Sequence, residues 1–586
     1  MQLFRLGIKA SLALILMVPF IGPPAASAQS NVLVSFTTTN STPLNLGFAG
    51  FTTELLNTGV EYGDTNMQRL ASRLSPGWLL YPGGTSGDAF NWSNGLTDSN
   101  WVNDARLNQG QNNNASNLCA DTYLPLLGKG GMQFTNFATM AANLGGARIV
   151  VCINGFTDTP ASAGAFAAFA SSNHIPVAAW ELCNEPYLFQ GAGSFFTNAT
   201  DYANKMKPYR DAIKAADPNA VVAVFFTQTG LGWDSELGNY TNQYWDAAVY
   251  HHYPDLPTNA AFADLMAMDN GVLFSNTTVF VTNVLMADNT NNNVKFLITE
   301  LNPSRGNNNG IQNPPTSTLY GGIYAAEYVM RLSTIPRMSF AGSYALVNGS
   351  GVDQTNRFVN AATTAAAGGY VTNTVGLPFG YFFSAQGSGE AVAYWALNRS
   401  TAVYATTIGT NCPVVPMDTN GTLTMPAIYA QAYQGGNGKR YVLLTNKGSN
   451  AVPVQITQDG VALTNQFLET FVSGSDPSVV NSNPPSNNVV IQTMTVTNPV
   501  TIPEYSVMRL EWAVFTVPPP TLGLTVSNTA QNLNWVGLTN VVYNVQGVTN
   551  LLESWTTLGR VANTTTNFSF TDWNSGSQQF YRLAVP

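Results

Sequence analysis

From about residue 132 the apolar positions along the chain switch period in a regular way. Stretches with apolar residues three and four apart, at 132–144, 159–172, 199–216, near 272–287 and 318–334, alternate with short apolar runs at 147–153, 176–185, 220–226, 247–253, 294–300 and 340–347. The first kind marks a helix with one buried face. The second marks a strand buried on both faces. Two more runs come earlier, at 46–54 and 78–81, and the latter enters the glycine-rich loop Pro82-Gly83-Gly84-Thr85-Ser86-Gly87-Asp88. Eight strands with helices between them predict an α/β fold, a closed (β/α)8 TIM barrel.

Past about residue 386 the pattern turns to short alternating strands, such as 427–433, 440–445, 452–457 and 505–512, with glycine-rich turns between them. This predicts a β-sandwich over 386–515. Residues 516–521 hold Pro518-Pro519-Pro520, a stiff linker, and 522–586 read as a small extra all-β module. The catalytic barrel then occupies 29–385, with the strand over 31–37 open to either the barrel or the sandwich. The Asn-rich stretch 91–126 predicts a long loop.

Composition narrows the partners. A chain of 586 residues exceeds one core, so two to four domains are expected. Charged residues are only 9% and the net charge is −9, which leaves no basic footprint for nucleic acid and argues against an anionic membrane surface. Arg5 and Lys9, the apolar run 10–20 and Ala26-Ser27-Ala28 have the layout of a signal peptide over 1–28, so export to the periplasm or the exterior is expected. That run is short for a membrane span, and no later stretch reads as one. Four cysteines, Cys119, Cys152, Cys183 and Cys412, make no disulfide framework in a chain this long. Cys152 and Cys183 read as small buried hydrophobes at strand ends, their disulfide state open. With three histidines and no spaced Cys/His cluster, neither a metal nor an organic cofactor is expected.

The candidate chemistry lies at strand ends. Trp180-Glu181-Leu182-Cys183-Asn184-Glu185-Pro186 closes the fourth barrel strand, and Val294 to Glu300 closes the seventh. Between them, 247–253 ends in His251-His252-Tyr253. In such barrels the C-terminal strand edge is where chemistry is done, and a carboxylate there is costly to bury without a task. Two carboxylates facing each other suit glycoside cleavage. One protonates the leaving oxygen, and the other attacks the sugar carbon or activates a water. His251 and Tyr253 share a strand face, while His252 points the other way and reads as packing. The competing reading makes Glu185 and Glu300 structural partners of Arg or Lys. For Glu54, at the end of the first strand, a sugar contact and a structural salt bridge are equally open.

WELCNEP, HHYP and ITE resemble the motifs of clan A of the retaining glycoside hydrolases. More narrowly, LSPGWLLYPGGTSGDAFNW at 74–92 resembles the heparanase and β-glucuronidase family, numbered seventy-nine, and Ile502-Pro503-Glu504-Tyr505-Ser506-Val507 resembles its sandwich domain. The resemblance spans roughly 31–512. It implies that Glu185 is the general acid/base and Glu300 the nucleophile. It further implies that Asn184 binds the sugar 2-hydroxyl and Tyr253 hydrogen-bonds the nucleophile. Asp88 and the Gly83-Gly84 backbone would hold sugar hydroxyls. In place of the family's carboxylate-binding segment stands Leu301-Asn302-Pro303-Ser304-Arg305-Gly306-Asn307. Arg305 reads either as a fork for a uronic acid or as a solvated loop charge. The expectation is an exported retaining β-glycosidase of β-glucuronidase type, acting on a glycoside, oligosaccharide or polysaccharide. The rivals are a β-glucosidase, β-xylosidase or endo-acting hydrolase of the same clan, and a non-catalytic carbohydrate-binding protein.

Overall fold

The computed structural model describes residues 31–55, 60–102, 104, 132–227, 232–254, 260–275, 286, 289, 291, 293–303, 317–347, 352–354, 381–481, 488–514, 520–526, 530–537, 541–549, 555–563, 565–573 and 579–584. The signal segment 1–28, Arg305, Cys119, most of the linker and much of the 91–126 loop lie outside them.

Eight parallel strands close a barrel in chain order: Ala49–Thr52, Trp78–Tyr81, Arg148–Ile153, Val177–Leu182, Val222–Phe225, Ala247–His252, Lys295–Leu301 and Met338–Tyr344. The last pairs with the first through Ala341 opposite Ala49 and Tyr344 opposite Thr52. Alternate residues fill the interior: Trp78 and Leu80, Val150 and Cys152, Ala179, Ala223 and Phe225, Ala247 and Val249, Leu297 and Phe340 form one buried cluster. The period-two rule then puts Glu181, His251 and Thr299 on the same inner face, one step nearer the C-terminal edge.

Helices Phe134–Asn143, Pro160–Ser172, Ala199–Ala216 and Leu319–Leu332 fall where the apolar period places them. Side-chain caps close several N-termini: Thr159 accepts from the Ser162 N–H, Asn198 from Asp201 and Thr318 from Gly321. Between the sixth and seventh strands the described helix is Phe262–Ser275, earlier than the expected 272–287, most of which is outside the described residues. The expected boundary at 386 also moves, because Ala385–Leu397 is a helix and the sheet resumes at Ser400. That helix is buried along nearly its whole length between the helix Leu319–Leu332 and the sheet, so apart from Gln386 and Glu390, which hydrogen-bond to each other, its sequence is apolar or small on every side and carries no helical stripe. Gly389 and Gly322 let the two helices approach. A Cβ on Gly389 would lie 2.9 Å from the Gly322 Cα.

Apart from three two-stranded ribbons, the remaining strands to residue 513 form one ten-stranded sheet that folds over its own core. Phe36 and Trp512, on separate strands, meet at 6.2 Å between ring centroids. The N-terminal strand Val32–Pro43 belongs to this sheet, parallel to Val452–Gln458 and antiparallel to Ser400–Ile408. The chain thus passes through the sandwich before it enters the barrel. The outer face of the sheet covers the barrel helices, and there Glu327 is fully buried. Lys447 Nζ reaches its Oε2 at 2.6 Å, and Arg331 Nη2 reaches its Oε1 at 2.7 Å. Glu327→Leu leaves the buried Lys447 without its counter-charge, and removing one partner of such a pair costs about 3–5 kcal/mol. Urea unfolding of the variant against wild type measures this. Two three-stranded sheets over 522–584 enclose Leu533, Trp535, Tyr543, Val545 and Phe568 as a third core. No helix among the described residues is long and apolar enough to cross a membrane.

Candidate active site

The fourth strand ends in a turn that bends twice. Cys183 (φ 70°) and Glu185 (φ 43°) both take left-handed backbone, which costs a non-glycine residue about 1–3 kcal/mol. The turn is held from several sides. Tyr202 donates to the Leu182 carbonyl at 2.7 Å, the Leu188 N–H donates to the Glu185 carbonyl at 2.9 Å, and Cys183 Sγ rests against Met206 Sδ at 3.5 Å. Cys152 and Cys183 are both free and buried. On the seventh strand the pairing register slips between Ile298 and Glu300, which places Glu300 opposite His251. A bulge of this kind re-aims a side chain, and here it brings Glu300 to the pocket directly after the inward Thr299.

The two carboxylates meet around one imidazole. His251 Nδ1 lies 3.0 Å from Glu185 Oε1 and 3.4 Å from Glu300 Oε2. One oxygen of each glutamate and one His251 nitrogen all lie within 4.8 Å of one another. Tyr187 donates to Glu185 Oε1 at 2.8 Å, and Tyr253 donates to Glu300 Oε2 at 2.7 Å. Glu185 is 8% exposed and Glu300 5%, so each opens only a small face to the pocket. Burial pushes the His251 pKa down, but the charge of Glu300, the hydrogen bond and charge of Glu185, and Glu181 outweigh it and raise it to about 9. The imidazole is therefore a proton-rich bridge between the two acids at neutral pH. His252 has the opposite character. Burial alone lowers its pKa to about 3, its Nε2 lies 3.2 Å from the Tyr324 hydroxyl and its ring stacks on Tyr328.

The glycine loop shapes the floor. The Gly84 N–H donates to Glu54 Oε2 at 2.8 Å, so Glu54 ties the loop down through a hydrogen bond. That N–H is therefore already engaged and is not the sugar donor expected of it. A Cβ on Gly84 would lie 2.3 Å from Glu300 Oε1 and 3.5 Å from Asn184 Oδ1. Gly84→Ala therefore displaces the carboxylate. A misplacement of about 1 Å costs about 10²-fold in rate, which kcat/KM measured beside the melting temperature will detect. Asn184 is buried, with Nδ2 3.4 Å from the Thr85 hydroxyl and Oδ1 without a hydrogen-bond partner among the described residues. Asp88 departs from expectation. It has no exposed surface, and its charge acts on the buried thiols of Cys152 and Cys183, so it sits beneath the loop rather than on a sugar-facing wall. Gly83, beside Gly84, is buried in the same loop.

Four residues at the site had no role in the sequence reading: Tyr187, Thr85, Thr299 and Glu181. Tyr187 stands two residues past Glu185, across a proline that starts a short 3-10 turn, and that spacing is its only sequence signal. The other three come from strand facing or loop closure.

A (β/α)8 barrel joined to a β-sandwich, with paired glutamates at the ends of strands four and seven, defines the class. No protein-family model and no curated protein matches the sequence. Among solved structures the chain is similar to the GH51 arabinofuranosidase of Xanthomonas axonopodis pv. citri, with 14% identity and a TM-score of 0.59 over 82% of this chain and 99% of that one. It is also similar to the α-L-arabinofuranosidase of Thermotoga maritima, with 15% identity and a TM-score of 0.57 over 82% of this chain and 100% of that one. A 4-O-α-L-rhamnosyl-β-D-glucuronidase of Fusarium oxysporum 12S follows, with 15% identity and a TM-score of 0.50 over 81% of this chain and 99% of that one. These structures are glycoside hydrolases, and at such identities the likeness is one of fold.

Proposed function

We propose that this protein is a retaining glycosidase working by double displacement, with Glu300 as nucleophile and Glu185 as acid/base. The separation of the two carboxylates carries the reading. One oxygen of each lies within 4.8 Å of one of the other, which is nearer the roughly 5–5.5 Å between carboxyl groups of retaining enzymes than the about 6.5–9.5 Å of inverting ones.

In the first step Glu185 gives its proton to the glycosidic oxygen while Glu300 attacks the anomeric carbon. The carbon–oxygen bond breaks and a glycosyl ester forms. Tyr253, bonded to Glu300 Oε2, orients the carboxylate for attack. In the second step Glu185, now a carboxylate, takes a proton from water as the water attacks the same carbon, and Glu300 leaves. His251 touches both acids, so it feels the loss of charge on Glu300 and passes it to Glu185. The open Oδ1 of Asn184 accepts from a sugar hydroxyl.

For the sugar, the resemblance of residues 74–92 to the heparanase and β-glucuronidase family favours a β-glucuronide. A second reading, an α-L-arabinofuranoside, is favoured by the two more similar folds, with TM-scores of 0.59 and 0.57. A panel of aryl β-glucuronide, β-glucoside, β-xyloside, β-galactoside and α-L-arabinofuranoside separates them. Glucuronide turnover makes Arg305→Ala the next variant. Turnover of a neutral sugar alone discards the uronic acid and keeps the mechanism. Failure on the panel and on long polysaccharides would leave a carbohydrate-binding protein.

A further inference from the structure

One carboxyl near the site has no place in the double displacement. Glu181 stands on the inner face of the fourth strand, above Ala179 and level with Cys152 and Ala223 on the neighbouring strands. It is fully buried, and neither carboxylate oxygen has a hydrogen-bond partner in good geometry among the described residues. Among the described residues, no Lys or Arg is one of the groups that set its charge. The titratable groups that face it are His251 on the sixth strand, Glu300 on the seventh and Cys152 on the third. The Thr299 hydroxyl, 3.4 Å from His251 Nε2, also acts on Glu181. Glu185, His251, Thr299 and Glu181 therefore form a line that runs from the pocket into the barrel.

A structural part does not explain a glutamate here. Packing would be met by Gln, Met or Leu, and a fully buried acid that faces the His251 imidazole but accepts no hydrogen bond in good geometry is costly. What glutamate supplies, and those residues do not, is a charge that can appear beneath the imidazole.

Resting on the glycosidase reading, we infer that Glu181 is a positioning residue for the acid/base: through Thr299 and His251 it holds the proton that His251 and Glu185 share. Burial pushes the Glu181 pKa up. His251 and Thr299 pull it down, Glu300 adds to the rise, and it settles at about 8. At pH 7 Glu181 is therefore mostly neutral and places no extra charge under the site. Above about pH 8 it ionises, and its negative charge then tightens the hold of His251 on its proton. The catalytic proton is thereby kept to higher pH.

The test is the pH profile of kcat/KM for wild type and Glu181→Gln. Gln keeps the shape and cannot ionise. The alkaline limb is expected to move down by about one pH unit, the usual effect of removing one neighbouring charge. Thr299→Val, which removes the hydroxyl at the joint, is expected to move it the same way. An unmoved or upward-shifted limb in a Glu181→Gln enzyme with wild-type melting overturns the inference. Should that variant fail to fold, infrared titration of Glu185→Gln decides, because Glu185→Gln lacks the protonated carboxyl of the acid/base itself. The C=O stretch of a protonated carboxyl must be present at pH 7 and vanish through about pH 8. Absence of that band also overturns the inference. The band needs no turnover, so it is read even if every glycoside fails, an outcome that sinks the glycosidase reading and not the Glu181 assignment.

Discussion

Glu300→Ala is expected to lower kcat/KM on the best aryl glycoside by about 10⁴-fold or more. The loss follows from the chemistry. Glu300 supplies the oxygen that bonds to the anomeric carbon, and no other described carboxylate shares the pocket with Glu185 within the same reach. Truncation also leaves a cavity next to Tyr253 and Gly84 that a small anion can enter. Added azide is therefore expected to restore turnover by attacking directly, giving a glycosyl azide of inverted configuration. NMR of the product anomer checks this. An inactive variant without an inverted azide product would leave Glu300 as a structural acid. Full activity in Glu300→Ala would remove the double displacement altogether.

Glu185→Ala is expected to give the second large effect, about 10²–10⁴-fold, graded by the leaving group. A leaving group that departs as a stable anion needs no proton, so a dinitrophenyl glycoside should lose little in the first step. An alkyl glycoside should lose most. The second step loses its base for every substrate, so the glycosyl-enzyme should accumulate and show a burst. Azide attack on that intermediate gives the retained anomer, the opposite of the Glu300→Ala product. The two variants together read out the separate roles of two residues that the fold sets within 4.8 Å of each other. The same substitution removes one of the charges that holds the His251 proton, so the imidazole should titrate below the value of about 9 it has in wild type. NMR of the ring nitrogens follows this directly.

Much of the frame was legible in one dimension. Each of the eight apolar runs lies on a barrel strand, because a strand buried on both faces has a signal set by its own residues. The same holds for the inward His251 and the outward His252, since a period of two decides facing without reference to any partner. The terminal position of Glu185 and Glu300 on their strands was visible for that reason too.

Other features depend on neighbours distant in the chain. The strand Val32–Pro43 lies beside Val452–Gln458, more than 400 residues away, and its own alternation fits either layer equally well. The helix Ala385–Leu397 is buried on every side by its position between layers, which erased the stripe by which helices are read. At the site, the bulge before Glu300 exists only as a mismatch between two strands. The need for glycine at 84 arises from Glu300 Oε1, a residue more than 200 positions later.

By itself, then, the sequence determined the kinds of element, their order, the face each side chain takes and the presence of two acids at strand ends. Those properties are local, set by periodicity and by which residues a buried strand tolerates. Only the tertiary structure decided which acid meets which base, that one imidazole bridges both glutamates, that Asp88 is sealed beneath the loop, and that Glu181 stands under the site facing the His251 imidazole. Distances of about 3 Å and the shifts in proton affinity that follow come from groups brought together by barrel closure and withdrawn from water, and no spacing along the chain encodes them.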